Sequence, residues 1–137
     1  MNLYISFRSK TDGPYGRVSM WGHRTDNWTK LLAFRVKTSG DGVAPSTIQI
    51  TKEVGSNSPQ LLRAYDNADV FDEVVIEATG PSQWNPGAGE IVVERITLSK
   101  AVINSAWRYT SVAPTSTGKL VEDFGLLFHG YDRQAVL

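Results

Sequence analysis

Residues Ile48–Leu62 read I-Q-I-T-K-E-V-G-S-N-S-P-Q-L-L. Ile48 and Ile50 alternate with polar neighbours, as in a strand with one buried face. Gly55-Ser56-Asn57 then interrupts the alternation. Ser58-Pro59 opens a different pattern, read as a helix from Ser58 to about Asp69. The Ser58 hydroxyl is expected to accept an orphan N–H of the first turn. Pro59 suits the first helical position, where no donor is needed. Leu61, Leu62 and Tyr65 then share one face. A helix this short does not persist alone, so that face is expected to dock on a sheet.

The flanking sequence alternates with period two. Leu3, Ile5 and Phe7 oppose Tyr4 and Ser6. Leu32, Phe34 and Val36 oppose Ala33, Arg35 and Lys37. Val74, Ile76 and Ala78 oppose Glu73, Val75 and Glu77. Ile91 to Ile103 is long and slips phase, which a β-bulge near Glu94-Arg95 reconciles while bending the strand. Phe124, Leu126 and Phe128 mark a last strand. Glycine- and proline-rich breaks fall at 39–46, 80–89 and 113–118, and a polar connection at 9–30 carries Trp21 and Trp28. The fold class expected is mainly β: an antiparallel β-barrel or sandwich of two sheets with one short α-helix, in one domain spanning 1–137.

Composition removes several function classes. The chain has 137 residues and no cysteine, so disulfides, thiolate zinc sites and cysteine nucleophiles are out. Fourteen basic and fourteen acidic residues cancel, leaving no general drive toward nucleic acid. No apolar run approaches the ~18 residues of a membrane span, and no membrane insertion is expected. The residues from Met1 to Arg8 lack the pattern of a signal peptide.

Candidate chemistry is sparse. His23 and His129 show no metal-ligand spacing. No G-x-S-x-G elbow presents a serine. Glu73 and Glu77 share a face, but four strand residues span about 13 Å. Glycosidase carboxylate pairs lie about 5–9.5 Å apart, so both are read as solvent or interface charge. Gly87-Ala88-Gly89 precedes a strand and is turn chemistry, not a phosphate loop. Asn27-Trp28-Thr29 matches a glycosylation sequon by chance. Trp21, Trp28, Trp84 and Trp107 fit packing or subunit contacts, with sugar stacking as the rival reading. No catalytic residue, metal or cofactor is expected.

Three stretches together resemble the hemolysin-coregulated protein (Hcp) family of type VI secretion systems. Ile48–Leu62 resembles its strand, Thr-Lys and Ser/Thr-Pro helix start. I-T-L-S-K-A-V-I-N-S (Ile96–Ser105) is similar to its long strand, and V-E-D-F-G-L-L-F-H-G-Y (Val121–Tyr131) to its closing strand. Trp28 ahead of Leu31-Leu32-Ala33-Phe34 also resembles the family's second strand. The resemblance implies a structural subunit and no enzyme. Its copies form hexameric rings that stack into a hollow tube, assembled in the cytoplasm. A contracting sheath then drives the tube out behind a spike, with effector proteins in the lumen and no signal peptide. Gly40, Asp41, Gly42 and Val43 stand where the family's inter-ring loop lies, and the helix carrying Ser58, Pro59, Leu61, Leu62 and Tyr65 is the one that docks on the barrel. Arg35, Lys37, Glu73 and Glu77 are candidates for a solvent or lumen wall. A phage-like tail-tube subunit and a carbohydrate-binding β-sandwich are the alternatives.

Overall fold

β1 (Asn2–Arg8) opens a computed structural model that describes residues 2–8, 28–38, 45–81, 90–110 and 119–135. It is followed by β2 (Thr29–Leu31), β3 (Ala33–Thr38), β4 (Pro45–Glu53), α1 (Ser58–Asn67), β5 (Val70–Pro81), β6 (Glu90–Thr110), β7 (Leu120–Leu127) and β8 (Gly130–Ala135). The breaks at 82–89 and 113–118, most of the 9–30 connection, and Gly40 to Val43 lie outside the described residues.

All strand pairs are antiparallel, in the order β2-β1-β5-β6-β7-β4-β3, with β8 on β6. The path begins at β2 and ends at β3, and these are separated only by Leu32. Leu32 N–H donates to Thr51 O at 2.8 Å, tying that junction to β4. The sheet therefore closes through one residue. Mainly β, antiparallel, with one helix is what alternation predicts; the difference is that the described strands form one continuous sheet rather than two.

The core follows from period two. Ile5 and Phe7 of β1, Ile48 and Ile50 of β4, and Val74 and Ile76 of β5 are buried. They meet Ile96 and Leu98 of β6 and Phe124 and Leu126 of β7 inside the barrel. Phe7 and Phe71 pack with ring centroids 5.1 Å apart.

β6 spans 21 residues and carries the bends that closure requires. Ala78 pairs with Glu94 and Thr79 with Val92, so Val93 is the extra residue, next to the expected bulge at Glu94-Arg95. A second corner was not legible. Lys100 has φ 53°, and its Nζ lies 2.7 Å from Asp72 Oδ1 on β5. Around this pair both strands step three residues between core positions, Phe71 to Val74 and Leu98 to Ala101. That step is why Ala101 and Ile103, rather than Val102, face inward. A further register shift between Ile103 and Ser105 turns the rest of β6 onto β7. β7 and β8 run end to end along β6, interrupted at Phe128-His129, where His129 N–H donates to Ser99 O at 3.0 Å.

Candidate functional site

α1 lies against β6 and delivers Leu61 and Ala64 to the core. Leu62 is half-buried beside them, Pro59 is exposed, and Tyr65, expected on the docked face, is 37% exposed at its edge. Helical spacing explains this: 58, 61 and 64 form the buried row, and 65 stands one position past it.

The helix start differs from the expected cap. Asn57 is the N-cap, Ser58 is the first helical residue and Pro59 the second. No side chain caps the first turn. Asn57 Nδ2 instead donates to Thr29 Oγ1 at 2.6 Å, fastening the helix to β2. The Ser58 hydroxyl accepts Gly55 N–H at 2.9 Å and donates to Glu122 Oε2.

Ser58 belongs to a buried polar cluster. Lys52 and Glu122 are partners in the β4–β7 register, one position beyond the apolar pairs Ile48–Leu126 and Ile50–Phe124 on the same inward face. Their side chains are 2% exposed, and Lys52 Nζ lies 2.7 Å from Glu122 Oε2. Lys52 also donates to Glu53 O at 2.8 Å and Ser58 Oγ at 3.2 Å. Arg108 of β6 donates to the other carboxylate oxygen at 3.1 Å. Burial alone would push the Glu122 carboxyl up. The hydrogen bonds from Lys52 and Ser58, the Lys52 charge and the Arg108 bond outweigh it and hold the group below its ordinary value.

This geometry is structural rather than catalytic. A serine–lysine pair acts as a nucleophile only when the lysine has a lone pair to accept the hydroxyl proton. Here the three protons of the Lys52 ammonium meet three acceptors, and the Ser58 proton goes to Glu122. The cluster ties β4, β6, β7 and α1 together at one end of the barrel.

The outward faces of the barrel are polar. On β3–β4–β7–β6, Arg35 donates to Gln49 at 3.2 Å and Gln49 to Asp123 at 3.1 Å. Thr51 and Tyr109 also donate to Asp123, at 2.6 Å and 3.3 Å. Trp107, in register with Asp123, is 70% exposed, whereas Trp28 is buried. On β1–β5–β6, Glu73 pairs with Arg8 at 2.8 Å and Glu77 with Arg95 at 2.9 Å. Each glutamate is held by a cation, but only Glu73 is half-exposed as a wall charge; Glu77, expected on a solvent or lumen wall, is 4% exposed, because Arg95 and the neighbouring strands cover it. Among the described residues no cluster of acidic or histidine side chains is placed to hold a metal ion. No helix among them is long and apolar enough to cross a membrane. His129 is exposed at the β7–β8 break; His23, Trp21, Trp84 and Gly40 to Val43 lie outside the described residues.

No family model and no curated protein matches the sequence. Solved structures do match. Hcp3 from Pseudomonas aeruginosa, described as a secreted protein, superposes with a TM-score of 0.69 at 16% identity, over 98% of this chain and 97% of that one. Hcp2 from Salmonella typhimurium gives 0.67 at 10% identity over 100% and 88%. A type VI secretion system effector from Yersinia pestis gives 0.70 at 12% identity over 98% and 90%.

The fold is that of the Hcp proteins. Within this Hcp fold the stretches that carried the resemblance come together in space. Lys52 and Ser58 come from the first, Glu122 from the third, and the second, Ile96–Ser105, holds the bend at Lys100. The Lys52–Ser58–Glu122 convergence was not legible beforehand, because the adjacency of β4 and β7 is long-range. The available signal was a lone Lys within an otherwise apolar row and a lone Glu at the matching position of another strand.

Proposed function

We propose that the chain is a structural tube subunit of a type VI secretion system. Its copies form hexameric rings, and the rings stack into a hollow tube. Sheath contraction expels the tube with a spike at its tip, and effector proteins travel in the lumen. The observation that carries this reading is a closed barrel with one docked helix, matched to Hcp structures over nearly all of both chains. The reading calls for no cofactor and no bond-making centre; in it Lys52, Ser58 and Glu122 hold the subunit in shape. The subunit works as one domain that is secreted as part of the apparatus.

Stacking needs the two ends of a ring to differ and to fit each other. β3 ends at Thr38 and β4 begins at Pro45, so the β3–β4 connection leaves the barrel at the end of β4 opposite to α1. We assign Gly40, Asp41, Gly42 and Val43, within that connection, to the contact between rings.

Native mass measurement tests the assembly. A six-fold species that grows into tubes at high concentration is expected. A chain that stays monomeric across the concentration range would end this reading. Deleting Asp41 to Val43 should leave rings and remove tubes; tubes of unchanged length by electron microscopy would remove the loop assignment only.

A further inference from the structure

Among the described residues Trp107 is the most exposed of the large apolar side chains, 70% open on the outward face of β6. It does not stand on a loose surface. Asp123, its register partner, is fixed by Gln49, Thr51 and Tyr109, and Gln49 in turn by Arg35. The backbone that presents the indole is therefore set before a partner arrives, so that part of the ordering cost of binding is already met. Buried tryptophans are also among the strongest anchors of protein interfaces.

A different wall offers the complement. Where β6 pairs with β5 and β8, a depression of about 690 Å³ opens on the outward face. Thr97 and Ser99 lie along its floor, and Asp132 and Gln134 come from β8. The side chains of these residues have no hydrogen-bond or ion-pair partner among the described residues, although the ion pairs Arg8–Glu73 and Glu77–Arg95 flank them. The charges are complementary too. The Trp107 wall carries Arg35, Lys37 and Lys119 against Glu53 and Asp123, a net +1. The depression carries Glu73, Glu77 and Asp132 against Arg8 and Arg95, a net −1.

The two surfaces lie on either side of the bends at Lys100 and Ile103/Ser105, so they face in different directions. A protruding group and a hollow on different walls of one molecule make a head-to-tail contact, which repeats around a ring if its rotation closes.

We propose that Trp107 of one copy seats in the β5–β6–β8 depression of the next, with its indole N–H donating to the Asp132 carboxylate. This deepens, and rests on, the ring reading above. β8 pairs only with β6 among the described strands, so its open edge borders the hollow and leaves room for the incoming wall.

The absence of cysteine makes the test direct. Ser105→Cys and Gln134→Cys flank the two halves of the contact and leave Trp107, Asp132 and the Asp123 hydrogen bonds in place. Oxidising an equimolar mixture of the two single variants should give a disulfide dimer, while either variant alone gives none. Trp107→Ala, at an exposed position, should keep the circular-dichroism spectrum and thermal midpoint but weaken self-association on the order of thirty-fold or more. If the unmodified chain forms rings yet the mixture gives no disulfide, or Trp107→Ala assembles normally, the contact is wrong and the ring reading stands. Dimers from each variant alone would replace it with a two-fold contact. A monomeric unmodified chain would remove both.

Discussion

Lys52 and Glu122 face each other across the β4–β7 ladder at 2.7 Å, with 2% of either side chain exposed, one rung beyond an apolar row. Removing two charges from water is costly, and the cost is met only if every donor and acceptor finds a partner. Ser58 and Arg108 complete that set. The pair therefore makes α1 and the barrel end interdependent.

Breaking one side of the pair should be worse than removing both. Lys52→Met leaves the buried Glu122 carboxylate with only Ser58 and the half-exposed Arg108, a loss approaching the roughly 3–5 kcal/mol of a broken buried pair. The double variant Lys52→Met/Glu122→Leu replaces ions with apolar bulk and should recover most of that loss. Urea unfolding of the two variants and the natural chain provides the comparison. A double variant no more stable than the single would show that the charges themselves favour the fold.

The same cluster sets a pH dependence. The Glu122 carboxyl is depressed in the folded state by its donors. Its contribution is therefore fully present above the unfolded carboxyl value of about 4.3 and is lost as pH falls through the lower folded value. Glu122→Gln carries no such proton linkage. The stability gap between the natural chain and Glu122→Gln should be constant from pH 7 to 5 and should narrow below about pH 4.3. Parallel stability curves down to pH 3 would exclude Glu122 as the source.

α1 ends on Ala68, a non-glycine residue at φ 52°, whose N–H bonds back to Tyr65 O at 3.2 Å. Left-handed backbone at a helix end favours glycine, because a Cβ crowds the chain there. Ala68→Gly should stabilise the fold by about 0.5–1 kcal/mol, read as a higher thermal midpoint. A lowered midpoint would mean that the Ala68 methyl group contributes packing that outweighs the strain.

How much was legible depends on how each element earns its stability. β3 and β4 bury one face, so Phe34–Val36 and Ile48–Ile50 write their period into the sequence; β1 and β5 carry the same alternation in Ile5–Phe7 and Val74–Ile76, although Ser6, Val75 and Glu77 on the opposite rows are buried as well. β8 does not: Gly130-Tyr131-Asp132-Arg133-Gln134-Ala135 is an edge strand, exposed over most of its length. β2 is three residues long and carries no period. β6 was read only to Ile103, because its inward parity changes at Lys100, and a positive φ at lysine has no sequence signature. Local chemistry places Ser58 as a helix cap. Its hydroxyl serves Glu122 instead, 64 residues away.

Lys100 gives the sharpest test of the bend. Its φ of 53° costs free energy for any residue with a Cβ, and most for a β-branched one. The 2.7 Å contact with Asp72 offsets part of that cost, but Lys100 is 58% exposed, so the pair contributes at most about 1 kcal/mol. Lys100→Gly removes the strain and the ion pair together, and should leave stability within about 1 kcal/mol of the natural chain. Lys100→Val removes the pair and places a branched Cβ in the left-handed region, and should lose about 1–3 kcal/mol more than the glycine variant. Because Ala101 and Ile103 face the core only through this turn, the valine variant should also lose hydrogen-exchange protection along β6 beyond the bend. Equal stability of the two variants would mean that the corner is set by the register shift between Ile103 and Ser105 rather than by the backbone at Lys100.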